Sequence, residues 1–204
     1  MKRYRNKKII IVTSVLLLLL TAVGVTLAYV FTKTDPVENN FTPSQVSCAV
    51  VENGREAVSG AIANIPARKE NVRIINTGNT DAYIRVAVVV NWMNEDGTRV
   101  WAQRPIKDTD YTITYNLAKG GWFDGGDGFY YYSKAVSSTS PDNLTDILIT
   151  NAALISGVTA PVGTDNTQYY LSIEIVASAI QALPASTVSE QWGVTVSNDG
   201  TISK

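Results

Sequence analysis

The chain has 204 residues, with 17 Lys and Arg against 18 Asp and Glu, and no histidine. The missing imidazole excludes Ser-His-Asp and Cys-His catalytic sets, His-containing zinc sites and the commonest general base. A single cysteine, Cys48, excludes an internal disulfide, and no concentration of positive charge is available to hold nucleic acid.

At the N-terminus five bases (Lys2, Arg3, Arg5, Lys7, Lys8) precede an apolar or small-residue block from Ile9 to Val25, with no acid on that side. This is the layout of an export signal, predicted to be helical. The block is at the short limit for crossing roughly 30 Å of hydrocarbon, so a retained anchor is the rival reading. Thr26 and Ala28 supply the small residues of a signal-peptidase site, which places cleavage between Ala28 and Tyr29 and residues 1–28 in the leader. Cleavage leaves 12 bases against 18 acids, in a secreted chain that touches the membrane only through the leader. What remains is long enough for one sizeable core.

Residues 29–43 carry β-branched and aromatic side chains but have no hairpin partner nearby, so they read as an orphan extended segment. From Ser44 onward, period-two alternation broken by Gly, Asn and Asp turns predicts one β-domain over residues 44–204. Val46–Glu52 is a first strand, with Cys48 in phase with Val46 and Val50 as a small core residue. Asn71–Asn76 is a second. The turn Thr77-Gly-Asn-Thr80 leads into the longest, Asp81–Met93, where Ile84, Val86, Val88, Val90 and Trp92 share a face. Asn94–Gly97 turns the chain into Thr98–Gln103 as a hairpin partner. Residues 111–117 alternate Tyr111, Ile113, Tyr115 and Leu117 with polar residues. Glycines bracket a loop carrying Trp122 and Phe123, and Phe129–Lys134 is an aromatic strand that sends Tyr131 to the face opposite Tyr130 and Tyr132. Leu144–Thr150 and Tyr169–Ile180 complete the strands. Ala185–Trp192 is a short helix capped by Ser186 or Thr187 and stopped by Gly193. The predicted fold is all-β: an antiparallel jelly-roll-type sandwich with one short C-terminal helix, preceded by the signal helix.

Candidate chemistry is sparse. Asp124/Asp127 and Glu95/Asp96 lack the spacing of a calcium loop and read as solvated turns, so no metal site is expected. Asp108/Asp110 and Asp142/Asp146 are the acid pairs that acid-base work on a sugar would need, but sequence does not bring either pair together. No catalytic residue and no cofactor is assigned. Trp122, Tyr130 and Tyr132 are the candidate aromatic surface for carbohydrate, weighed against plain packing.

Taken in order, the T-x-A-Y-x-F-T end of the leader, RIINTGNTDAYIRVAVVVNW from Arg73 to Trp92, DGFYYYSK from Asp127 to Lys134, IEIVASAIQA from Ile173 to Ala182 and Gln191-Trp-Gly193 resemble the TasA and camelysin family of exported proteins of Gram-positive bacteria. That resemblance implies a jelly-roll subunit released by a SipW-type signal peptidase and assembled with other copies, or with a related subunit, into biofilm-matrix fibres or a surface layer. It further implies that the freed N-terminal segment completes a sheet of the next subunit. On this chain the donor is Tyr29 to Phe41, with Tyr29, Val30, Phe31, Val37 and Phe41 as its apolar positions; Pro36 confines pairing to either side of it. The camelysin name also carries a peptidase label, although the H-E-x-x-H zinc signature is impossible here. The third reading is a non-assembling adhesin or sugar-binding module.

Overall fold

The computed structural model describes residues 7, 11–22, 43–53, 55–56, 68–94, 96–100, 103–119 and 121–204. It divides into two units, residues 1–43 and 44–204. In the first unit, residues 11–22 form helix α1, exposed along its length. Among the described residues no helix is long and apolar enough to cross a membrane. The cleavage junction Ala28/Tyr29 and the donor positions Tyr29, Val30, Phe31, Val37 and Phe41 lie outside the described residues, as does Trp101.

The second unit is built from strands β1 (Cys48–Glu52), β2 (Arg55–Glu56), β3 (Arg68–Asn76), β4 (Ala82–Met93), β5 (Arg99–Val100), β6 (Tyr111–Tyr115), β7 (Trp122–Asp124), β8 (Tyr130–Tyr132), β9 (Ile149–Leu154) and β10 (Tyr170–Gln181). Helix α2 (Ala185–Trp192) and a small hairpin, β11 (Thr195–Val196) and β12 (Ile202–Ser203), follow. One sheet runs β2-β1-β3-β9-β6 and the other β10-β4-β8-β7, with β5 beside β4. Every pairing between these strands is antiparallel. The alternation that predicts the strands also builds the core. Val72 and Ile74 of β3 and Ile149 and Ala152 of β9 meet Ile84, Val86 and Trp92 of β4 and Leu171 and Ile173 of β10 in one cluster shared by both sheets.

Several elements differ from the sequence expectation. β3 begins at Arg68 and not at Asn71: Arg68, Lys69 and Glu70 pair with β9 in the same register as Val72, and the strand runs through Asn71 despite its left-handed φ of 51°. Trp122-Phe-Asp124 is a strand and not a loop, held by pairing with β8. Leu144 makes only an isolated bridge to Ile75, and the strand expected over Leu144–Thr150 lies instead at Ile149–Leu154. Helix α2 has Pro184 as its N-cap without a side-chain cap bond, so neither Ser186 nor Thr187 caps it; Gly193 does end it, with φ 62°. In the turn after β3, Gly78 is needed for close approach. A Cβ there would sit 2.3 Å from the Gln45 carbonyl oxygen. That turn links strands of different sheets and does not close a hairpin.

The outer face of the second sheet has its own cover. Tyr83 of β4 and Tyr131 of β8 point away from the main core and are buried by Val188 and Trp192 of α2, Val194 and Ile202. The Arg85 guanidinium lies 4.2 Å from the Phe129 ring centre and 4.8 Å from that of Trp192, so the α2 cover is tied to the sheet by cation–π contacts.

Candidate functional site

Strand β10 sets the candidate site. All 12 of its residues pair with β4, from Tyr170 opposite Met93 to Gln181 opposite Ala82, which fixes the strand and aligns its second edge. Among the described residues no strand pairs with that second edge. Alternate residues of an antiparallel strand direct their N–H and C=O groups away from the one neighbour, so a long edge strand offers a row of hydrogen-bonding groups to an incoming strand. Natural edges are commonly protected by lysine, proline or a bulge. β10 has none of these. Its sole charge, Glu174, is held in an ion pair by Arg99. Leu171 and Ile173 anchor one face in the core, whereas Val176 on the other face is 47% exposed. Across the sandwich β10 is next to β1, the first sheet's last strand of any length on that side.

The candidate aromatic residues Trp122, Tyr130 and Tyr132 pack against the main core. Trp122 is 3% exposed, sits in the main core and donates from Nε1 to the Asp146 carbonyl oxygen at 3.0 Å. Tyr130 and Tyr132 are half-buried against that core: Tyr130 stacks on Tyr115 with ring centres 4.5 Å apart, and Tyr132 tilts against Trp122 at 5.2 Å. All three side chains pack toward the interior of the sandwich, Tyr130 and Tyr132 by alternation with Tyr131 and Trp122 as the cross-strand neighbour of Tyr132. Burial pushes the Tyr115 phenol well above its ordinary range, helped by the neighbouring Tyr130 hydroxyl, and burial followed by the charge of Asp146 does the same to Tyr132.

Several of the candidate acids are engaged in local structure. Asp124 accepts from the Gly126 N–H, Asp110 from the Ile106 N–H, and Asp146 from the Tyr132 hydroxyl. Asp127 accepts from the Phe129 N–H, the Tyr131 hydroxyl and Lys204. Desolvation pushes its carboxyl up, yet the Lys204 ammonium, the Tyr131 hydroxyl and the Phe129 N–H together outweigh it and hold the group at about 2. No cluster of three or more metal-ligating side chains occurs among the described residues. A groove of about 710 Å³ beside Arg73 and Ile75 is lined by Val51, Asn53, Asn71, Leu144 and Ile147, and none of the paired aspartates enters it. Cys48 is half-buried against the main core and its thiol is pushed up by burial, as a packing residue would be.

Compared with protein-family models, with curated proteins and with solved structures, the chain matches none.

Proposed function

We propose that this chain is an exported structural subunit with a jelly-roll-type sandwich, and that it assembles outside the cell into fibres or a surface layer. The segment Tyr29–Phe41 of one copy, freed by a SipW-type peptidase, adds as a strand to the open edge of β10 in the next. The observation that carries this reading is that edge: 12 residues long, anchored on one side, and without proline, lysine or bulge. An acceptor already ordered by β4 spares the cost of building the groove when the donor arrives. Tyr29 and Phe31 on one side of Pro36, and Val37 and Phe41 on the other, supply apolar side chains for alternate positions. Head-to-tail donation does not close on itself, so it propagates into filaments. While the leader holds residues 9–25 at the membrane, the donor is withheld, and cleavage becomes the start signal for assembly.

Electron microscopy of the chain beginning at Tyr29, set beside the chain beginning at Ser44, tests this. Filaments are expected from the first and none from the second. Filaments from both would remove the donor role; filaments from neither would remove self-assembly.

A further inference from the structure

A second feature of the sandwich is independent of how copies assemble. Tyr115 belongs to β6 in the first sheet and Tyr130 to β8 in the second, and their rings stack with centres 4.5 Å apart and planes inclined by 30°. Both side chains are half-buried against the shared core. The stacking lays the two phenol rings side by side across the seam between the sheets. We propose that Tyr115 and Tyr130 are a built site for oxidative cross-linking, in which a haem peroxidase with hydrogen peroxide joins them as dityrosine and staples one sheet to the other.

The chemistry balances without any group from the protein beyond the two phenols. Each phenol gives up one electron and its hydroxyl proton to become a phenoxyl radical, and the two radicals couple between ring carbons ortho to oxygen. The ring hydrogens at the new bond then move to the oxygens and restore both phenols. Two electrons and two protons have left, and they reduce one hydrogen peroxide to two waters. Holding the partners side by side replaces a bimolecular encounter with an intramolecular one, which favours this bond over random coupling between exposed tyrosines. A chain with one cysteine has no disulfide route to the same bracing, so a tyrosine bond is the covalent staple its side chains permit.

The test is treatment of the purified full chain with peroxidase and peroxide, followed by intact mass and fragmentation of the proteolysed monomer. The expected product is a monomer lighter by two hydrogens, with dityrosine fluorescence and fragments joining Tyr115 to Tyr130. Tyr115→Phe and Tyr130→Phe keep the ring packing and are expected each to lose the intramolecular product, whereas Tyr83→Phe and Tyr111→Phe are expected to retain it. A bond mapped to other tyrosines, coupling only between chains, or loss of the product in Tyr111→Phe would overturn the assignment.

Discussion

Replacing Tyr131 by alanine is expected to lower the folding stability of residues 44–204 by about 3–5 kcal/mol, the range for emptying a buried aromatic site. The ring is 0% exposed and is the hub of the cover on the second sheet. It stacks on Phe123 at 5.4 Å, meets Trp192 edge-on at 5.8 Å and tilts against Phe129 at 6.4 Å. Its loss therefore frees α2 as well as leaving a void. Gly125 packs directly on the ring, so close that a Cβ there would be 2.4 Å from Tyr131 Cε2. Tyr131→Phe keeps the ring and removes the hydroxyl bond of 2.7 Å to Asp127, for an expected loss of about 1 kcal/mol. Urea unfolding measures both. The pH dependence carries a further sign. Asp127 is held below its ordinary value in the folded chain, so its contribution is complete above about pH 4 and is lost as pH falls toward 2. Asp127→Asn is expected to flatten that acid limb.

Asn76→Ala is expected to cost about 2–4 kcal/mol, since each buried polar group left without a partner costs about 1–3 kcal/mol. Asn76 is 1% exposed at the end of β3. Its Nδ2 donates to the carbonyl oxygens of Thr80 at 2.9 Å and Val136 at 3.0 Å, and its Oδ1 accepts from the Gly78 N–H at 2.9 Å. One side chain thus fixes the turn that carries the chain from the first sheet to the second. Asn76→Asp puts a carboxylate against two carbonyl oxygens, and burial raises its pKa in the folded state. Its deficit is therefore expected to grow as pH rises above about 4 and to shrink in acid, opposite to the Asp127 effect. Thermal unfolding of both variants across pH shows whether the two signs differ.

The long strands were legible because alternation survives wherever one face is buried. Ile84, Val86 and Trp92 point inward as their spacing requires, and Tyr131 separates from Tyr130 and Tyr132 by the same rule. The sequence is silent where pairing, not pattern, makes the strand. Trp122-Phe-Asp124 is three residues between glycines, and only β8 makes it a strand. Arg68-Lys-Glu70 is polar and joins β3 through the left-handed Asn71, which no alternation rule anticipates. The role of Asn76 comes from Val136, sixty residues away, so its local context reads only as a strand end. At the candidate site, the sequence marks β10 as a strand and leaves residues 29–43 without a partner. Which edge of β10 is paired depends on β4 and was not readable.

Amide hydrogen exchange on residues 44–204, with and without a synthetic peptide of residues 29–41, tests donor-strand addition most directly. Slowed exchange confined to alternate amides of β10 between Leu171 and Gln181 is the expected result. An unchanged β10, or protection appearing only on another edge such as β6, would contradict it.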